Sequence, residues 1–161
     1  MLTQTRQLHP PVRALARRLP EVHSAVYQAL MLLMPDGLSR SDCLVSRVGD
    51  GPDLYMYVAE RHDYTTYLRL TYLIGAEQRH DPNAHIRVYH DAHMAEATAF
   101  SPQQGLQRLA GPDLPMHGLI VRSWRMNRAL LKWLDYVLSQ GHHATTFQPV
   151  EEAPPSLVSA A

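Results

Sequence analysis

The chain predicts an α+β fold: a five-stranded antiparallel meander sheet packed against an N-terminal helix and a long C-terminal helix. Two observations carry this. Apolar residues recur at three- and four-residue steps before Pro35 and again after Leu119. Between Cys43 and Thr98 they instead alternate with polar ones at the period of a half-buried strand. A sheet with one apolar face needs that face covered, and two amphipathic helices can cover it.

The first helix opens at Pro20-Glu21, a proline at the first helical position with an acid in the first turn. Val22, Ala25, Val26, Ala29, Leu30 and Leu33 mark its buried face, and Pro35-Asp36-Gly37 ends it. Residues 12–19 have the makings of a short basic helix that Pro20 should stop, so residues 1–19 read as a flexible basic arm.

Residues 43–48 form the first strand, closed by the turn Gly49-Asp50-Gly51-Pro52. Residues 54–60 form the second, and residues 64–74, rich in β-branched and aromatic side chains, the third. A charged loop over 75–83 then leads to strands at 85–90 and 93–98, with only Asp91 and Ala92 between them. The stretch 100–118 carries Pro102, Gly105, Gly111, Pro112 and Pro115 and reads as a surface connection.

Residues 119–140 give the last helix. Ile120, Trp124, Leu131, Leu134 and Leu138 make one stripe, widened by Met126, Leu130, Trp133 and Val137, and Gly141 supplies the stop. Prolines 149, 154 and 155 among small and acidic residues make 147–161 a disordered tail. One α+β domain is thus expected over 20–146.

The hairpin at 85–98 is the most informative segment. With Asp91-Ala92 as its loop, Tyr89 faces Met94, Val88 faces Ala95 and Arg87 faces Glu96. Alternation puts Arg87, Tyr89, Met94 and Glu96 on one side, and Ile86, Val88, His90, Ala95 and Ala97 on the other. Arg87 and Glu96 are then a cross-strand ion pair, worth about 0.2–1 kcal/mol if exposed. The third strand offers a matching face through Tyr67 and Arg69, joined at its end by Glu60. Two arginines among hydroxyl and carboxylate carriers suit an anionic small molecule or a partner's acidic segment. The same alternation also describes the solvated side of any half-buried sheet.

Composition narrows the function classes. With 15 basic and 15 acidic residues the formal net charge is zero, which argues against a nucleic-acid partner. No apolar run approaches the roughly 18 residues of a membrane span, and no secretion signal opens the chain, so a cytoplasmic location without membrane contact is expected. Cys43 is the only cysteine, which leaves no intrachain disulfide and no cysteine-based zinc site. Neither a Gly-x-Ser-x-Gly elbow nor a glycine-rich phosphate loop occurs, so no catalytic, cofactor or metal-ligating residue is assigned. His90 and His93, flanking the turn with Asp91 between them, raise a metal site, but zinc needs three or four converging groups. Asn127 breaks the apolar stripe of the last helix between Trp124 and Leu131. It either ties that helix to a strand or loop backbone, or points into a pocket near Tyr89 or Arg87.

The run Ile86-Arg-Val-Tyr-His-Asp-Ala-His-Met-Ala-Glu96 resembles the signature of the YqiB-like family of bacterial proteins, a domain of unknown function. That pattern reads Val/Ile-Arg-x-Tyr-His-Asp-Ala, two variable positions, then Ala-Glu. Residues 27–35 resemble its Leu-rich helix ending in Leu-x-Pro, residues 61–68 its Arg-Tyr-Thr-Thr-Leu strand start, and residues 126–134 its Asn-x-Phe-Leu-x-x-Trp-Leu helix. Gly141 matches its terminal glycine. The resemblance implies a bacterial, cytosolic protein, and it hands over no catalytic residues. The family pattern allows Met at the position of His93, which speaks against a metal site built on both histidines.

The leading expectation is a non-enzymatic binding or adaptor protein using Arg69, Arg87, Tyr89 and Glu96, with Tyr67 and Asn127 beside them. Its partner would be a small anion or a protein, with no cofactor. One alternative is a metal-assisted hydrolase around His90-Asp91-Ala92-His93. Another is an oligomeric structural protein, a homodimer joined through a sheet edge or the Trp-bearing helix.

Overall fold

The computed structural model describes residues 9–101 and 116–158. In chain order the elements are α1 (His9–Leu33), β1 (Cys43–Ser46), β2 (Asp53–Arg61), β3 (Thr65–Ile74), β4 (Arg79–Tyr89), β5 (Met94–Ser101) and α2 (Met116–Ser139). A single turn of 3-10 helix (Ala144–Thr146), β6 (Phe147–Pro149) and the short α3 (Pro155–Val158) follow. The strands make one antiparallel sheet in the order β5-β4-β3-β2-β1-β6.

The α+β class with one helix-backed antiparallel sheet stands, but the sheet has six strands, not five. β6 pairs with β1 through Leu44 opposite Pro149, Val45 opposite Gln148 and Ser46 opposite Phe147. It comes from the stretch expected to be a disordered tail. What holds it is burial: Phe147 enters the main core, and Leu157 is fully buried beyond it. Three residues are too few for any alternation to show.

Both long helices lie on one face of the sheet. Val26, Leu30 and Leu33 of α1 and Leu130, Leu134 and Val137 of α2 share a core with Leu54, Met56, Leu68, Leu70, Ile86 and Val88. On α2 the fully buried line runs through Asn127, Leu130, Leu134 and Val137, one step round from the stripe through Ile120, Trp124 and Leu138.

Helix α1 does not stop at Pro20; it runs through it. Residues 9–19, read as a flexible arm, are its first half. The reason is in the pattern. Val12, Leu15 and Leu19 are half-buried and extend the stripe of Val22 and Val26 at steps of three and four. Pro20 removes the hydrogen bond to the carbonyl of Ala16, but both residues are exposed, so water can satisfy that carbonyl. Arg18 then lies over the Trp124 ring at 5.1 Å, tying this half of α1 to α2.

Strand β4 is also longer than expected and takes in Pro82 and Asn83 from the anticipated loop. β5 pairs with it only from Asn83 onward, so Pro82 sits where β4 has a neighbour on one side alone. A register shift between Thr71 and Leu73 falls at the same place, the setting in which a strand accepts proline. The connection expected over 100–118 lies mostly outside the described residues.

Gly141 ends α2 as expected, at φ +102, and a Cβ there would sit 3.0 Å from Val48 Cγ1. Gly141→Ala is therefore expected to cost about 1–3 kcal/mol in chemical denaturation, through strain and crowding together. An unchanged midpoint would show that neither matters.

Candidate functional site on the open sheet face

The face turned away from the long helices carries the polar residues. Register aligns Glu60, Tyr67, Arg87 and Glu96 across β2, β3, β4 and β5 in one row. Glu60 joins this row because a bulge between Val58 and Glu60 shifts it onto the Tyr67 side. The neighbouring row holds Tyr57, Arg69 and His85. The hairpin register is the expected one: Tyr89 pairs with Met94, Val88 with Ala95 and Arg87 with Glu96.

The contacts differ from the simple ion pair. Tyr89, two residues along the same strand and on the same face, inserts its hydroxyl between Arg87 and Glu96. Arg87 Nη1 donates to Tyr89 Oη at 3.3 Å, and Tyr89 Oη donates to Glu96 Oε1 at 2.7 Å. Among the described residues Arg87 and Glu96 make no direct salt bridge. The guanidinium carbon lies over the Tyr67 ring, 4.7 Å from its centroid. Burial raises the pKa of the Tyr89 phenol, with the Arg87 hydrogen bond opposing and the Glu96 one adding. His62 meets the Tyr67 ring edge-on at 6.2 Å, and its Nε2 lies 3.0 Å from Glu60 Oε2.

Arg69 shares the face but not the setting. It is only 4% exposed, and its Nη1 donates to the backbone carbonyls of Ser156 and Leu157. The segment carrying them crosses the outer side of β1 and β2, where Leu157 packs on Cys43, Val45, Tyr55 and Tyr57. The face thus has two halves. One, around Arg87, has no described element over it; the other, around Arg69, lies under residues 150–158.

Asn127 does not join either half. It lies on the helix side of the sheet, fully buried, where its Oδ1 accepts the Ala97 N–H at 2.8 Å and its Nδ2 donates to the Ser123 carbonyl at 2.9 Å. Of the two readings open to it, this is the tie between helix and strand backbone. It points away from Tyr89 and Arg87.

The two hairpin histidines also go separate ways. His90 Nε2 and Thr66 Oγ1 are 2.7 Å apart on the helix side, beside a cavity of about 260 Å³ lined by Met31, Met34, Leu38 and Arg61. Burial, then the Arg61 charge, lowers the His90 pKa. His93 takes φ +52, a left-handed conformation for which histidine is enriched, and stacks on Tyr27 with centroids 5.3 Å apart. Among the described residues no three His, Cys, Asp or Glu side chains converge to hold a metal. That cavity and the Leu157 seat are features the sequence did not announce. A lone leucine among prolines was the available signal for the second.

These features define a class: a helix-backed antiparallel sheet with a polar outer face, half open and half strapped. The chain belongs to the family described as Protein of unknown function (DUF1249), whose family model matches residues 29–143. The resemblance carried by the Tyr-His-Asp-Ala hairpin is borne out by that match. The matched stretch contains both Arg87 and Arg69, whereas β6 and α3 lie beyond it. No curated protein and no solved structure matches the chain. No described helix is long and apolar enough to cross a membrane.

Proposed function

We propose that the chain is a non-enzymatic binding or adaptor protein of the bacterial cytosol, holding an anionic small molecule or a partner's acidic segment on its open sheet face. The observation that carries this is the fixing of Arg87. Its guanidinium carbon lies over the Tyr67 ring and the group is tethered by the Tyr89 hydroxyl. An arginine held this way has already lost its rotamer freedom, so an anion that meets it gains most of the charge-assisted hydrogen bond. The Glu96 carboxylate is engaged by Tyr89 rather than by Arg87, which leaves the cation without a direct counter-charge.

Citrate and phosphate are suitable probes because both present planar or forked oxygens to a guanidinium. They are expected to raise the melting temperature of the wild type in a concentration-dependent way. Arg87→Met, which keeps the stacking length, should weaken that response by about 10–100-fold in affinity, the worth of one charge-assisted hydrogen bond. Identical titrations for wild type and variant would remove the proposal.

A further inference from the structure

Leu157 is completely buried, yet it belongs to a four-residue helix on the side of the sheet that the long helices leave alone. Its seat is made by Cys43, Val45, Tyr55 and Tyr57, four buried side chains on the outer face of β1 and β2. Without Leu157 these four side chains would form an apolar pit on the outer side of the sheet.

Beside the pit stands Arg69. Its Nη1 donates to the Ser156 carbonyl at 3.2 Å and to the Leu157 carbonyl, while its Nε has no partner. Among the described residues no carboxylate lies within ion-pair distance of it. Burying a cation against carbonyls alone leaves its charge unanswered, and a carboxylate taken in bidentate fashion is the group that answers it. His80 Nε2 lies 2.7 Å from Ser156 Oγ, completing a polar rim round the same spot.

The segment therefore places a leucine side chain in an apolar pit and the same residue's carbonyl on a buried arginine. A chain ending at such a leucine would put its carboxylate where that carbonyl lies. We propose that this is a docking site for the carboxyl-terminal segment of a partner protein ending in a branched aliphatic residue, with residues 150–158 filling it as an internal stand-in. The inference rests on reading the open sheet face as a binding surface, but it uses the opposite half of that face. Val150 N donates to the Cys43 carbonyl at 2.9 Å, so the stand-in enters as a continuation of β6, the way an extended segment adds to a sheet edge. Pit and arginine lie inside the family-matched residues 29–143, and the stand-in lies outside them.

Cys43 forms part of the pit and reports its occupancy. In the full-length chain, Leu157→Ala is expected to raise the rate of maleimide modification of Cys43 by about ten-fold or more, and Leu157→Val by an intermediate factor. Circular dichroism on both variants checks that the fold is retained. In the Leu157→Ala chain, the peptide acetyl-Pro-Ser-Leu with a free carboxylate should slow the modification. Its amide should need a concentration about ten-fold higher, and Arg69→Met should abolish that difference. The proposal falls if Cys43 reacts no faster in either variant, if the peptide gives no protection, or if amide and carboxylate protect equally. It falls as a protein-docking site if free 4-methylpentanoate protects as well as the peptide. Arg87→Met should leave the protection of Cys43 intact while removing the citrate response, so the two readings fail separately.

Discussion

Replacing Asn127 with leucine is expected to lower the unfolding free energy by about 2 kcal/mol, although leucine is the better core residue by hydrophobicity. The loss comes from the partner left behind. The Ala97 N–H, now accepted by Asn127 Oδ1 at 2.8 Å, would stay buried with no acceptor. Ala97 belongs to β5, the edge strand of the sheet, so no further strand can take over the bond. Asn127 also donates to the Ser123 carbonyl, which fixes the amide orientation and makes the acceptor rigid. Urea denaturation measures the loss, and hydrogen exchange locates it, because protection of the Ala97 amide should fall in the variant. A chain with unchanged midpoint and intact protection would show that the tie is dispensable.

Acid is expected to begin destabilising this protein before its carboxylates titrate. Burial is the first cause of a lowered pKa at His23, His80, His85, His90 and His142, with the Arg69 charge adding to the effect at His80 and His85. The sign follows from which state binds protons. Above about pH 7 these imidazoles are neutral folded or unfolded, and their contribution to stability is at its full value. As pH falls through the unfolded value near 6.5, the unfolded chain takes up protons that the folded chain refuses. Stability is then lost progressively until the folded values are passed, most steeply through the buried His142 and less through the half-buried His23, His80, His85 and His90, whose charges water partly screens.

His142 is the sharpest case at 3% exposure. Its Nδ1 is 2.7 Å from Ser46 Oγ, which in turn is 2.6 Å from Thr146 Oγ1, and its ring faces Tyr72 at 6.0 Å. None of these neighbours carries a negative charge to answer an imidazolium. Melting temperatures should be level between about pH 7 and 8 and fall on the acid side of that range, and His142→Asn should make the acid fall shallower. A flat profile down to about pH 5 would contradict the whole account.

What the sequence made legible follows from how each feature is encoded. The hairpin from Ile86 to Ala97 could be read residue by residue because a period of two and a short turn leave one register there; the shift between His85 and Ile86 lies beyond what alternation shows. Asn127 stood out because a polar residue in an apolar stripe must find partners. The contact between Arg87 and Glu96 was not legible: register brings their backbones together, but side-chain reach decides that the Tyr89 hydroxyl lies between them. Glu60 reaches the polar row only through a bulge, and a bulge leaves no trace in alternation. Taken locally, Pro20 reads as a stop because its rule is strong. The stripe from Val12 to Leu33 that overrides it was present in the sequence and needed a partner helix to be believed. Strand β6 and the Leu157 seat depend on contacts with strands about a hundred residues earlier, and their own few residues carry too little pattern to show them.

The sheet order has a consequence during synthesis. Five strands are neighbours in sequence and can pair as they emerge, but the outer edge of β1 waits for Phe147–Pro149, about a hundred residues later. Until then an apolar strand edge stands unpaired on the nascent chain. Closing it brings Phe147 into the core and sets His142 and Thr146 on Ser46, so the last strand of the sheet to be made is also the one that seals the first.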